Sequence, residues 1–282
     1  MNYREIDINN IPDPGIRDIL VSLDTAFKEF GVELYLIGAR ARDFWFSAKD
    51  IPYKRFTQDI DFTVLIDNIE KYEKLRDHLH NTGSFIISNS FPQRVFSSDR
   101  KFMIDILPFG KIEKSYYVIF KDKDKTRISV QGMKEVYEKA VKFRISGGHE
   151  IKISSIPGLV ILKLLAWNDK PDERQKDLKD IAVIMDNYFG LNDDMIYEKY
   201  NELFSRDLEI DEIAIIALGK EMKEIISNSE KLKNVVIEML EKQLQLKEKS
   251  RMTEIIAMEI DIESEKIIRY LEFILKEIKQ ID

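Results

Sequence analysis

The chain has 282 residues and a formal net charge of −7, and 44% of its residues are hydrophobic and 34% charged. This composition is typical of a globular chain that is long enough for one or two domains with a sizeable core. Because there is no cysteine, disulfides, thiolate zinc sites and cysteine nucleophiles are excluded. The negative charge argues against a general nucleic-acid binder and leaves room for a local basic patch.

No apolar run approaches the roughly 20 residues that are needed to span a bilayer. The N-terminal segment Met-Asn-Tyr-Arg-Glu-Ile-Asp also lacks the apolar core of a signal peptide. We therefore expect a cytoplasmic protein with no membrane contact.

Hydrophobic periodicity predicts alternating helices and strands in the first half of the chain. In chain order the predictions are a helix at 16–30, a strand at 33–37, a helix at 39–48, a strand at 59–66, a helix at 68–80, and strands at 84–90, 95–98, 101–108, 116–120 and 127–130. This order indicates an α/β (α+β) fold in which helices flank a mixed sheet.

The strand signals stop at Pro157. Helical spacing predicts helices at 157–167 and 173–188, and four more helices beyond Asn192. The predicted organisation is an α/β domain at 1–155 followed by an all-helical C-terminal domain at 156–282.

Two carboxylates, Asp59 and Asp61, interrupt an otherwise apolar predicted strand. Residues i and i+2 of a strand face the same side, with Cα atoms about 6.6 Å apart, so the two side chains should point together. Asp105 repeats the pattern between Ile104 and Ile106 in a second apolar strand. Taken alone, an Asp-x-Asp pair is more often structural or part of a turn, and the third carboxylate makes a functional interpretation stronger.

Carboxylate oxygens are the ligands that Mg²⁺ prefers. If the two strands are neighbours, Asp59, Asp61 and Asp105 can surround one or two Mg²⁺ ions, or Mn²⁺ in their place. Two-metal phosphoryl chemistry uses such a cluster to orient a triphosphate and to activate the attacking hydroxyl.

Gly38 lies between a predicted strand and a predicted helix, where a helix N-terminus offers free N–H groups to an anion. Gly38 and Ala39 would let the backbone approach a phosphate, and Arg40 and Arg42 would add charged contacts. The alternative is that Gly38 only permits a tight turn, and that the arginines pair with Asp43 or Asp50.

Gly38-Ala-Arg, Asp59-Ile-Asp and Asp105 together resemble the DNA polymerase β-type nucleotidyltransferase superfamily over residues 33–108. The resemblance implies a nucleotidyltransferase core with these three aspartates as catalytic metal ligands. Ala39 departs from the pattern, because a second Gly or a Ser is usual there. An insertion around 48–56 carries Lys49, Lys54 and Arg55, which would reach substrate or be solvated.

A second block, at 157–181, looks like the helical motif of the AbiEii-type branch, which includes toxins of type IV toxin–antitoxin systems. The resemblance places Lys163 and Asp180 at the nucleotide and Asp177 among the catalytic residues, with Lys163 as a phosphate-binding charge. In that role Asp177 would orient Lys163 or serve as a base. The alternative is that Asp177 and Asp180 are solvated charges paired with Arg174 or Lys176.

The resemblance implies an enzyme that moves a nucleoside monophosphate from an NTP to an RNA or protein hydroxyl, with a cognate antitoxin as partner. Two alternatives remain open at this point. The same fold serves in proteins that bind a nucleotide or a partner without catalysis, and in aminoglycoside-type adenylyltransferases that act on small molecules.

Overall fold

The computed structural model describes residues 3–5, 14–52, 59–145 and 149–280. The chain divides into two compact units, Met1–Ser155 and Ile156–Asp282. Each unit has its own core of buried apolar side chains. No helix in the described part of the chain is long and apolar enough to cross a membrane.

The N-terminal unit combines strands and helices. Its elements are β1 (Tyr3–Glu5), α1 (Pro14–Glu29), β2 (Tyr35–Ile37), α2 (Gly38–Ala48), β3 (Asp59–Leu65), α3 (Ile69–Asn81), β4 (Phe85–Ile87), β5 (Arg94–Ser97), β6 (Met103–Phe109), β7 (Tyr117–Ile119), β8 (Arg127–Ser129), α4 (Met133–Glu138), β9 (Val141–Ile145) and β10 (His149–Ile153).

Within the described residues, eight strands form one sheet in the order β1-β9-β10-β2-β3-β6-β5-β4, and β7 and β8 form a separate hairpin. The sheet is mixed, because β3 pairs with β6 in parallel and with β2 in antiparallel orientation. The predicted α/β fold with a mixed sheet is therefore confirmed.

The central strands form where apolar side chains alternate with polar ones. In β3, Ile60, Phe62 and Val64 are buried on one face, as period-two patterning requires. Two helices contact these strands: the hydroxyl of Tyr72 in α3 donates to the carbonyl of Ile106 at 2.7 Å, and Met133 of α4 contacts the Thr63 hydroxyl. On the opposite face of β3, the end of the strand at Asp59 is partly accessible, since Asp59 is exposed and Asp61 half-buried.

Several elements differ from the sequence-based expectations, and β1 and α4 were not predicted. The helix predicted from Ala39 begins at Gly38, and the strand predicted from Glu33 begins at Tyr35. The segment 141–153 holds β9 and β10, which the sequence analysis did not predict. Charged and apolar residues alternate along β9 and over the last four residues of β10, a pattern typical of half-buried strands that the sequence analysis did not use.

The C-terminal unit is helical throughout its described residues, as predicted. Its helices are α5 (Ile156–Asp169), α6 (Gln175–Lys199), α7 (Ile210–Ile226), α8 (Glu230–Leu246), α9 (Arg251–Ile260) and α10 (Ser264–Lys279). Helix α6 bends at Asn192, whose φ of −137° is not helical. The close approach of α7 and α10 depends on Gly219, because a Cβ there would lie 3.1 Å from the Cα of Ile274.

Candidate active site

One row of residues crosses the centre of the sheet in the N-terminal unit. Ile37 of β2 lies opposite Asp61 of β3, which lies opposite Asp105 of β6, which lies opposite Arg94 of β5. Residues in register on neighbouring strands point to the same face of a sheet. The fold therefore brings together two of the three predicted carboxylates and places an arginine beside them.

Asp59 lies two residues before Asp61 on the same face of β3 and is exposed, whereas Asp61 is half-buried. Asp105 is 20% exposed in its side chain. The intervening residues Ile60 and Ile104 are buried on the opposite face. The condition that the two acidic strands are neighbours is met, because β3 pairs with β6 in parallel.

The guanidinium of Arg94 forms a bidentate pair with the carboxylate of Asp105. Its Nε lies 2.7 Å from Oδ1 of Asp105 and its Nη2 lies 2.9 Å from Oδ2. These hydrogen bonds to Asp105 raise the pKa of Arg94, and the negative charges of Asp59 and Asp61 add to the effect. Arg94 is therefore a firmly charged cation within electrostatic reach of all three aspartates.

Gly38 adjoins Asp61 at the start of α2. Its φ of +72° lies in the left-handed region, and a Cβ on it would come within 2.3 Å of Oδ2 of Asp61. The glycine is thus needed to make room for a carboxylate, a role that the sequence analysis did not assign to it. Gly38 and Ala39 are both half-buried, and the N-terminus of α2 begins at this point.

Arg40 and Arg42 are buried, at 5% and 0% exposure. Arg42 donates to Oδ1 of Asp43 from Nη2 at 2.6 Å and from Nε at 3.1 Å, and Arg40 lies 3.9 Å from the other oxygen of Asp43. The pairing with Asp43, which the sequence left open as the alternative, is therefore present. Both guanidinium groups are therefore buried beside Asp43, and their role as phosphate contacts stays a prediction.

Asp59, Asp61 and Asp105 carry the oxygen atoms that a divalent cation needs, but the three side chains are not grouped closely around one point. Carboxylate oxygens are the preferred ligands of Mg²⁺, and Asp59, Asp61 and Asp105 share a face of adjacent strands. Among the described residues, however, no three acidic or histidine side chains are grouped closely enough to hold a metal ion. Both oxygens of Asp105 accept hydrogen bonds from Arg94.

The C-terminal unit holds a second charged cluster. Lys163 of α5 is buried, and its Nζ lies 2.6 Å from Oδ2 of Asp180 and 3.2 Å from Oδ1 of Asp177, both on α6. A buried ammonium is costly unless it is paired, and two carboxylates one helical turn apart on α6 provide the partners. The three residues that the sequence analysis singled out in this unit, Lys163, Asp177 and Asp180, therefore form one cluster.

Asp180 is only 5% exposed, so the alternative that it is a solvated surface charge is wrong. Asp177 is more accessible and lies 3.5 Å from Arg174. Its Oδ2 is a buried atom that accepts no hydrogen bond within the described structure. This oxygen is the one that faces Arg174, whose Nε forms the ion pair at 3.5 Å.

Arg94 is the residue of the candidate site that sequence reasoning missed. The predicted strand began at Val95, so Arg94 was placed outside it. The signal was present in the alternation of Arg94, Val95 and Phe96, because a cation in a strand beside an acidic strand suggests a cross-strand pair. Lys54 and Arg55, which were considered as substrate contacts, lie outside the described residues.

The comparisons with known proteins give one family. The sequence model of the nucleotidyl transferase AbiEii toxins, of type IV toxin–antitoxin systems, matches residues 48–272. The matched range includes Asp59, Asp61 and Asp105 and the cluster around Lys163, and it begins after Gly38. No curated protein matches the chain.

Proposed function

The chain belongs to the AbiEii nucleotidyl transferase toxin family of type IV toxin–antitoxin systems, and from this premise we propose that it moves a nucleoside monophosphate from an NTP to a hydroxyl of an RNA or a protein. The observation that carries the proposal is the row of Asp61, Asp105 and Arg94 across three adjacent strands.

The proposed reaction is an in-line displacement at the α-phosphorus. The acceptor hydroxyl loses its proton, its oxygen bonds to the α-phosphorus, and the bond to the β-phosphate oxygen breaks, so that pyrophosphate leaves. Asp59, Asp61 and Asp105 would hold Mg²⁺ or Mn²⁺, which supplies positive charge to the triphosphate and the attacking oxygen. Asp105 would also take up the acceptor proton or help to remove it.

The first turn of α2 supports a phosphate site near Asp61. Gly38 and Ala39 begin this helix, and free N–H groups at a helix N-terminus bind anions well. Ala39 has no hydroxyl to add, so the backbone would make these contacts. Arg40 and Arg42 support α2 from its buried side through Asp43.

The cluster of the C-terminal unit supplies a cation, Lys163, with two carboxylate partners. Lys163 would bind a phosphate of the nucleotide by exchanging one of its two aspartate partners for the ligand. Asp177 would keep the ammonium oriented through Oδ1, at 3.2 Å from the Lys163 Nζ, or would serve as a base. Asp180, which is buried with Lys163, would hold the remaining side of the ammonium.

The family assignment implies a cognate antitoxin as partner. We propose that the protein acts as the toxin of such a pair in the cytoplasm, where NTPs and both acceptor classes are available.

A second candidate function is nucleotide binding without catalysis. The observation that favours it is the engagement of both Asp105 oxygens by Arg94. Calorimetric binding of an NTP without pyrophosphate release from any acceptor would support this function.

The test of the proposed function uses α-³²P-labelled NTPs, supplied one base at a time with Mg²⁺ and a total cell extract. The products are separated into RNA, protein and small-molecule fractions. We expect label in the RNA or protein fraction with one preferred base. Label that enters only the small-molecule fraction, or no fraction, would contradict the proposal.

A further inference from the structure

We propose that Arg94 is a positioning residue that withholds Asp105 from the metal site until a substrate phosphate draws its guanidinium away. This inference rests on the proposed function, because it concerns the same carboxylates. It predicts that the free protein binds a divalent cation through Asp59 and Asp61, and that a full three-carboxylate site forms only with nucleotide present.

The first support is the geometry of the pair. Two nearly parallel N–H···O bonds, at 2.7 and 2.9 Å, engage both oxygens of Asp105. Each of the two side chains is only 20% exposed, so water competes with the pair less than it does at the surface. A bidentate arginine–carboxylate pair of this kind is among the stronger side-chain interactions.

The second support is electrostatic. Arg94 lies directly opposite Asp105 in the register of β5 and β6, and the charges of Asp59 and Asp61 reach it. A metal ion that approaches Asp105 therefore meets a cation that already neutralises part of the site.

The third support is the position of Phe91. The Cζ atom of Arg94 lies 4.8 Å from the centre of the Phe91 ring while the guanidinium is paired with Asp105, and Phe91 is 48% exposed. Stacking on an aromatic face is favourable for arginine. The guanidinium therefore lies beside an exposed ring as well as beside the carboxylate.

Phosphate is the group that can compete for Arg94, because its oxygens accept the same two-pronged hydrogen bonds as a carboxylate. A nucleoside triphosphate brings such oxygens together with its own metal ion. Binding of the nucleotide would then replace one Arg94 pair by another and free Asp105. The phosphates of an RNA acceptor offer the same chemistry, so the experiment compares nucleotide and RNA as sources of phosphate.

The experiment counts bound Mn²⁺ by electron paramagnetic resonance of the free ion. Wild type, Arg94→Gln, Arg94→Lys and the double variant Arg94→Gln/Asp105→Asn are each titrated alone, with α,β-methylene analogues of the four NTPs, and with a short RNA oligonucleotide. Arg127→Gln is the matched control, because Arg127 also stacks on an aromatic ring, at 3.5 Å from the centre of Tyr117.

We expect Arg94→Gln to bind Mn²⁺ about tenfold more tightly than wild type without nucleotide, since a neighbouring cation has been removed. Arg94→Lys should fall between the two, and the double variant should lose the gain. In wild type the analogue should increase the number of bound ions, and the oligonucleotide alone should not. Arg127→Gln should match wild type throughout.

Equal or weaker Mn²⁺ binding by Arg94→Gln would overturn the inference and indicate that Arg94 orients Asp105 for the metal. An increase with the oligonucleotide alone would show that acceptor phosphate, and not nucleotide, releases Asp105. Asp61→Asn separates this failure from failure of the proposed function: if that variant binds Mn²⁺ as wild type does, the metal site itself is wrong.

Discussion

Gly38 and Asp61 are packed so closely that the glycine cannot carry a side chain: a Cβ on Gly38 would lie 2.3 Å from Oδ2 of Asp61. The atom in the way is the end of a flexible side chain, so a substitution would displace the carboxylate more readily than it would disrupt the fold. We therefore expect Gly38→Ala to lower the rate of nucleotidyl transfer at least about tenfold, because misplacing a catalytic group by a small distance slows a reaction by such a factor or more. Transfer of labelled nucleotide at fixed enzyme concentration measures this.

Gly31→Ala is the matched control for that substitution. Gly31 has a similar φ of +75°, but nothing lies within 4 Å of the Cβ that alanine would add. Both variants carry the cost of a positive φ, about 1 kcal/mol, and only Gly38→Ala moves Asp61. If the two variants lost transfer equally, the close contact would not be the cause.

The buried pair of Lys163 with Asp180 predicts a large effect on stability. Removing the ammonium in Lys163→Met takes away the cation that lies 2.6 Å from the buried carboxylate of Asp180, and we expect a loss of about 3 kcal/mol in the free energy of unfolding. The further change Asp180→Asn should restore part of this loss. Denaturant unfolding followed by circular dichroism at 222 nm measures each variant.

Lys179→Met provides the comparison. Lys179 is also on α6 and forms an ion pair with Glu259 at 2.9 Å, but its side chain is 47% exposed. An exposed pair contributes about 0.5 kcal/mol or less. Equal losses in Lys163→Met and Lys179→Met would show that burial does not strengthen the Lys163 cluster.

Glu33 predicts a pH-dependent contribution to the stability of the N-terminal unit. Burial raises its pKa, but hydrogen bonds from Lys152 and Tyr137 outweigh this and hold the pKa below its ordinary value of 4.5. A carboxyl whose folded pKa is lowered stabilises the fold above its unfolded pKa and loses this contribution as pH falls through the folded value.

We expect Glu33→Gln to be less stable than wild type at pH 7 and equally stable well below pH 4.5. The difference at pH 7 should be on the order of 0.5 kcal/mol, because the Glu33 side chain is 55% exposed and solvent screens the pair. Parallel unfolding titrations at the two pH values test this. A constant difference between the variants across that range would show that Glu33 ionisation is not involved.

The sequence predicted the acidic core of the site well because strand periodicity is a local property. The spacing of Asp59 and Asp61 placed both on one face, and the apolar neighbours of Asp105 indicated a second such strand. The pairing of β3 with β6 joins residues more than forty positions apart, and the sequence alone offered it only as a condition. The family resemblance is confirmed by the match over 48–272.

The partners of the charged residues were harder to predict, because they are set by packing between distant segments. The fork from Arg94 to Asp105 depends on the antiparallel register of β5 with β6. The role of Gly38 depends on a carboxylate twenty-three residues away. Burial of Lys163 between two aspartates requires the packing of α5 against α6, which helical spacing alone does not determine.

The most direct test of the central claim is label transfer from α-³²P-NTP by Asp61→Asn, measured beside wild type and Asp67→Asn. Asp67 follows the same strand, is exposed and forms ion pairs with Lys71 and Lys111 at 3.8 and 3.5 Å. The account predicts that wild type and Asp67→Asn transfer label equally, and that Asp61→Asn transfers none while keeping its fold. Transfer by Asp61→Asn at the wild-type rate would contradict the claim that the row of Asp61 and Asp105 is the catalytic centre.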